Sequence, residues 1–298
     1  MSLHPVSRAL LGTTLVGVAG LGYAAGFEVR SFRLRRVTAP VLPAGQPPMR
    51  ILQITDLHMT PRQTKKQQWV RALAALKPDL VIDTGDNLAH MEAVPAVLSA
   101  IEPLLELPGA FVFGSNDYFA PVPKNPARYL MSTDGTRPSS PELPWQDLRD
   151  SMSGAGWADL TNARGRVKVG DREVELVGVD DPHIRRDRYD DVTGSGSPDA
   201  DLSLGIVHAP YHRVVDRMAA DGLPLVIAGH THGGQLRVPG YGALVSNCDL
   251  DPKRARGLSR HAEGTLLHVS AGLGTSPFTP VRFACPPEAT LLTLTAPD

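Results

Sequence analysis

The chain has 298 residues, an ordinary 42% apolar content, and 30 basic against 31 acidic side chains for a formal charge of −1. That length accommodates one large core or two small ones, and a near-neutral balance without a Lys/Arg block in the body leaves no electrostatic footprint for nucleic acid. The two cysteines, Cys248 and Cys285, are far apart in sequence and exclude a zinc ribbon or a dense disulfide framework.

Residues 9–27, ALLGTTLVGVAGLGYAAGF, carry no charge. At 1.5 Å per residue such a run approaches the ~30 Å hydrocarbon thickness of a bilayer. It reads as a membrane anchor or an export signal, and its length favours retention over cleavage, which places the protein at the cell membrane. Arg8 precedes the run, whereas Arg30, Arg33, Arg35 and Arg36 follow it. A positive-inside count therefore puts the body on the cytoplasmic side. The same arginines, interspersed with Val29, Phe32, Leu34 and Val37, also read as the solvated face of an edge strand. The organisation expected is an anchor or signal over 1–27, a first strand and a Pro/Gly linker over 28–48, and one domain over 49–298.

From residue 50 a βαβ pattern begins. RILQIT (50–55) is a strand, and TKKQQWVRALAALK (64–77) is a helix with Trp69, Val70, Leu73 and Leu76 on one face and Thr64 as its cap. PDLVID (78–83) is the next strand, AVPAVLSAIEPLLEL (93–107) a second helix, and GAFVFG (109–114) a third strand. Residues 118–144, rich in Pro, Ser and Gly, read as a flap. A helix is expected over 145–152, with strands around Val167 and at 173–179, 202–208, 223–229, 264–270 and 289–295. Strands alternating with crossover helices place functional loops at the carboxyl ends of the strands.

Those ends carry the chemistry. They read Thr55-Asp56-Leu57-His58, Thr84-Gly85-Asp86-Asn87, Gly114-Ser115-Asn116-Asp117, Val207-His208 and Gly229-His230-Thr231-His232. A lone Asp-x-His or Gly-Asp means little, but five such ends in order point to metal binding. Mixed carboxylate and imidazole donors suit Mn, Fe or Zn better than copper. Two ions need a shared ligand, for which Asp86 is the natural candidate, and together they would lower the pKa of a bridging water toward ~7 and clamp phosphate oxygens. P-loop and Rossmann glycine spacings are absent, and Gly234 stands where a metallo-β-lactamase-like pattern needs an Asp.

With ILQITDLH, GHTHGGQLRVPGYGAL and GLGTSPFTPVRFACPPEATLLTL, this set resembles the calcineurin-like metallophosphoesterase superfamily, and more narrowly its YkuE-like bacterial, membrane-associated branch. The resemblance implies a four-layer α/β/β/α sandwich with two metal ions. It further implies that Asp56, His58 and His232 hold the first ion, that Asp86 bridges, and that His208 and His230 hold the second. The family's Gly-Asn-His-Asp is replaced here by Gly114-Ser115-Asn116-Asp117. Either Asn116 supplies its amide oxygen to the second ion, the reading favoured because a neutral hydroxyl is the poorer donor, or Ser115 or a water takes that place while Asn116 faces the substrate phosphate. Asp117 would orient Asn116. No imidazole remains there to protonate a leaving group, which suits substrates whose leaving group is already good. Among substitute acids His90, His183 and His212, the last comes first because it lies four residues beyond His208.

The expected function is hydrolysis of a phosphodiester or pyrophosphate bond by a hydroxide bridging two metal ions, on a phosphorylated small molecule or lipid at the membrane. The alternative is a metal-binding, catalytically weak scaffold that recognises a phosphorylated ligand or an envelope partner.

Overall fold

The structure, a computed structural model, describes residues 17–123 and 140–297. Its strands are β1 (Arg33–Pro40), β2 (Met49–Ile54), β3 (Leu80–Asp83), β4 (Gly109–Phe111), β5 (Ala158–Asp159), β6 (Ala163–Val169) and β7 (Arg172–Gly178). There follow β8 (Leu202–Val207), β9 (Leu225–Ala228), β10 (Arg237–Val238), β11 (Gly242–Ala243), β12 (Gly257–Ala262), β13 (Thr265–Val269) and β14 (Glu288–Thr295). Two six-stranded sheets result, in the orders β1-β14-β2-β3-β4-β5 and β12-β13-β9-β8-β7-β6, and β10 and β11 form a separate hairpin.

Side-chain alternation makes the layers. In β2, Met49 and Ile51 point into the apolar layer between the sheets, while Leu52 and Ile54 point to the helices. In β9, Leu225 and Ile227 enter that same central layer, and Val226 and Ala228 face outward into a third cluster. Strands buried on both faces read as continuous apolar runs in the sequence. The helices α1 (Thr64–Arg71), α2 (Val94–Ile101) and α3 (Trp145–Gly154) cover the first sheet, and α4 (His212–Ala220) covers the second. The expected α/β/β/α sandwich is thus the observed one.

Several local expectations are corrected. Thr64 is the first helical residue and not the cap; Gln63 occupies the cap position without a side-chain hydrogen bond. α1 passes into a tighter 3-10 turn at Ala72–Leu76, which stops where Lys77 adopts φ 48°. The second helix ends at Ile101, short of residue 107. α4 was not anticipated as an element. Most of the expected flap, 124–139, lies outside the described residues.

The apolar run 9–27 is described from residue 17. It is helical over 17–22 and continues as a wider π turn at Tyr23–Phe27. Among the described residues no helix is long and apolar enough to cross a membrane. The end of the segment packs onto the domain: Glu28 is buried and accepts the N–H groups of Ala284 and Cys285 at 3.1 and 2.5 Å, and Ala24 O accepts Arg282 N–H at 3.1 Å. Residues 9–16 lie outside the described part. Behind this segment β1 pairs in parallel with β14, Arg33 opposite Glu288. Cys248 and Cys285 are both free thiols.

Candidate metal centre

Parallel pairing of β2, β3 and β4 sets their carboxyl ends side by side, and parallel pairing of β8 and β9 does the same in the second sheet. The residues that follow each strand converge from both sheets. Asp56, His58, Asp86, His208 and His230 are each at most 3% exposed. Five of the expected ligands hold a left-handed backbone: Asp56 (φ 51°), His58 (39°), Asp86 (59°), His230 (69°) and His232 (49°). Non-glycine residues reach that region at an energetic cost, and such strain concentrates at functional sites.

Their side chains form two overlapping donor groups, Asp56–His58–His232 and Asp56–Asp86–His208. Asp86 Oδ2 lies 3.5 Å from His58 Nε2 and 3.5 Å from His208 Nε2. His58 Nε2 is 3.2 Å from His232 Nε2, which is 3.6 Å from Asp56 Oδ1. His230 joins through its Nδ1, 3.3 Å from His208 Nε2. Donors bound at ~2.1 Å around one ion are about 3.0–3.4 Å apart in octahedral or tetrahedral arrangement, so these spacings suit shared cations.

The tautomers argue the same way. His208 Nδ1 is 2.7 Å from Thr84 O and His230 Nε2 is 3.0 Å from Asn247 O, so each of these nitrogens carries a hydrogen. His232 Nδ1 likewise faces Gly274 O at 3.1 Å. Arg282 comes within 3.3 Å of that nitrogen, but its Nη2 already donates to Ala271 O and Gly274 O, both at 2.7 Å. Each ring is therefore held with its other nitrogen turned inward, as backbone acceptors commonly hold metal-binding imidazoles. Asp56 Oδ1, buried, accepts no hydrogen bond. Close-packed lone pairs together with an unsatisfied carboxylate oxygen fit a cation.

Charge agrees. Burial raises Asp56 to about 6, above its ordinary range. Burial also opposes ionisation of Asp86, yet His208 and His58 outweigh it and hold the carboxyl well below its usual value. His208 is pushed well above its ordinary value: burial works against its charge, but the Asp86 carboxylate prevails. A cation bound there would take the place of the proton that His208 Nε2 holds against the Asp86 carboxylate. His230 and His232, buried beside other cationic groups, lie well below their usual range and stay neutral.

The altered loop enters the centre as a single helical turn, Ser115–Tyr118. Asn116 donates to Asp86 twice, from its backbone N–H to Oδ1 at 2.7 Å and from Nδ2 to Oδ2 at 2.5 Å. A half-turn of the amide would present its oxygen at the same position. Ser115 gives its carbonyl to the N–H of Phe119. The Asp117 carboxylate accepts the backbone N–H groups of Asp86, Asn87 and Gly114, and so positions the loop that carries Asn116.

Of the substitute acids, His212 turns to Asp216 and His261, and exposed His90 accepts the N–H of Glu92. His183 is the one at the centre, its ring centroid 4.6 Å from that of His230 and its Nδ1 3.0 Å from the Tyr211 hydroxyl. Sequence reasoning passed over glycines whose lack of a side chain admits the ligands. A Cβ on Gly114 would sit 2.3 Å from Asp86 Oδ1, and one on Gly272 would sit 2.5 Å from Asp56 Cβ.

Residues 49–234 match the family model described as calcineurin-like phosphoesterase. The chain belongs to this family. Among curated calcineurin-like relatives, "Transmembrane protein with metallophosphoesterase domain" from Bos taurus is 30% identical, with 99% of this chain and 63% of that protein aligned. This chain thus spans less than two thirds of that relative. "Phosphodiesterase YaeI" from Escherichia coli is 26% identical over 94% of this chain and 95% of its own length. "Uncharacterized metallophosphoesterase YkuE" from Bacillus subtilis is 24% identical over 96% and 93%. The YkuE-like branch read from the motifs is the one these relatives support.

Proposed function

We propose that this chain hydrolyses a phosphodiester or pyrophosphate bond using two divalent ions. The observation that carries this reading is Asp86 Oδ2, equally far at 3.5 Å from one imidazole of each ligand set, so that a single carboxylate oxygen can serve both. Asp56, His58 and His232 would hold one ion, His208, His230 and Asn116 the other, with Asp86 between them. Ions bound there supply positive charge for phosphate oxygens and acidify a water shared between them.

The chain's own residues do the rest. Backbone carbonyls of Thr84, Asn247 and Gly274 fix the rings of His208, His230 and His232. Asp117 fixes the loop that carries Asn116. With Asn116 where the family has a His, no proton donor stands beside the leaving group on that loop, so the preferred substrates have leaving groups of low basicity. A phosphorylated small molecule or lipid at a membrane is the substrate class we favour. Support comes from the apolar run 9–27 and from the word "transmembrane" in the name of the cattle relative.

Manganese-loaded protein is expected to turn over bis(4-nitrophenyl) phosphate and to bind two ions per chain by elemental analysis. Stoichiometry of one, or turnover unchanged in Asp86→Ala, would sink the reading.

A further inference from the structure

We propose that a pocket beside the metal centre binds an anionic amphiphile, taking a second anionic group and the first methylenes of a phosphorylated lipid. This rests on the hydrolase reading and names its substrate class. The pocket, about 450 Å³, lies between the segment ending at Arg30, the start of α1 and the loop from Leu273 to Pro280.

Its charge is one-sided. Arg30, Arg62, Lys65 and Lys66 line it, and among the described residues no acidic side chain does. Lys66 directs its buried Nζ to Leu57 O at 2.6 Å and Gln63 Oε1 at 3.0 Å, and burial lowers its pKa to about 7, so the charge of the pocket rests on Arg30, Arg62 and Lys65. In a chain of net charge −1, a concave surface with this many cations concentrates anions locally.

Part of its wall is apolar. Val29, Phe32 and Leu273 line it beside the basic groups. On the segments that build it stand exposed Phe27 and Phe278, 62% and 50% accessible, and Tyr23, which packs edge-on against exposed Phe283. Aromatic rings with neighbouring basic groups suit the headgroup region of a bilayer. A soluble anion has no use for the apolar walls, and a neutral lipid none for the cations. An amphiphile uses both.

Its position links it to the chemistry. Gly274, whose carbonyl faces His232 Nδ1, is part of the wall, as is Thr60, two residues beyond His58. A phosphate held by the ions and a second group held by Arg62 and Lys65 would lie on either side of this shared wall.

The test is equilibrium binding of dodecyl phosphate and of methyl phosphate to the metal-loaded full chain, wild type and Arg62→Glu/Lys65→Glu. Methyl phosphate reports a headgroup held without a chain. Wild type is expected to bind dodecyl phosphate at least tenfold tighter than methyl phosphate, and the double variant to lose at least tenfold for dodecyl phosphate. Should the double variant fail to fold, Arg62→Ala is expected to lose at least threefold. Equal binding of the two phosphates, or dodecyl phosphate binding untouched by the variants, overturns the proposal. Absence of bis(4-nitrophenyl) phosphate turnover by the wild type overturns the hydrolase reading instead and leaves the binding result standing.

Discussion

The carboxylate of Asp117 accepts the backbone N–H of Asp86 at 2.7 Å. The same carboxylate takes Asn87 N–H at 2.8 Å and Gly114 N–H at 2.9 Å, so it ties the loop after β3 to the loop after β4. In Asp117→Asn one acceptor oxygen becomes an NH₂ group, and at least one of these buried donors loses its partner. Such a loss costs about 1–3 kcal/mol. The variant is expected to melt at lower temperature and to lose at least tenfold in diester turnover; a wild-type melting temperature would count against the clamp.

Metal removal tests the burial of charge. A ligand bound only by the folded state adds ~2.7 kcal/mol at a hundredfold excess over its dissociation constant. Treatment with a chelator is expected to lower the melting temperature, and manganese to restore it. Asp86→Ala should lose both the restoration and more than a thousandfold in turnover. Calorimetric scans of the two proteins with and without manganese decide the point.

Gly114 has φ −112°, so alanine is allowed there by the backbone. The added Cβ would nevertheless meet Asp86 Oδ1 at 2.3 Å and His208 Nε2 at 2.6 Å. Gly114→Ala is expected to keep a native circular dichroism spectrum while binding manganese at least tenfold more weakly. Unchanged affinity by isothermal titration would show that the centre relaxes around the methyl group.

The two readings of the altered loop separate by substitution. Asn116→Ala should weaken the second of two manganese binding steps at least tenfold, because the Asn116 side chain reaches Asp86 Oδ2. Ser115→Ala should change either step by less than threefold. The reverse order would make Ser115 the ligand.

His268 is buried, with Nδ1 3.0 Å from Gln53 Oε1, and burial lowers its pKa to about 3. The unfolded chain, with an ordinary value near 6.5, therefore binds a proton that the folded chain refuses. The stability so held is present above pH ~6.5 and is lost as pH falls toward 3, by about 1.4 kcal/mol per pH unit at most. His268→Gln keeps an amide donor toward Gln53 without the titration. Urea midpoints at pH 7 and pH 5 should fall less in the variant; parallel shifts would refute the assignment.

The strands at 50–55, 78–83, 202–208 and 223–229 were legible because burial on both faces leaves largely apolar runs rich in Ile, Leu and Val. The convergence of Asp56, His58, Asp86, His208, His230 and His232 was legible because each follows such a run. α4 was not, since a short helix that alternates Arg, Asp and Val after Tyr211 lacks a strong boundary signal. His183 reaches the centre from a loop more than twenty residues before His208, and Asp117 acts through three separate backbone amides; neither relationship leaves a local trace in the residue order. The apolar run 9–27 reads as a span from its length and its lack of charge, whereas Glu28 and Arg282, which fasten its end to the domain, are more than 250 residues apart in sequence.

In the first sheet β14 lies between β1 and β2, antiparallel to β2 and parallel to β1. The strand made last among those described is therefore an inner member of a layer whose other members are made early. From Ile54 to Thr295 the ribosome adds 241 residues, roughly 12–48 s of elongation. Throughout that interval β1 lacks the strand that pairs with it, and the apolar residues ahead of it are made long before the sheet can close. Whatever receives those residues in the cell, lipid or chaperone, meets them before the fold exists.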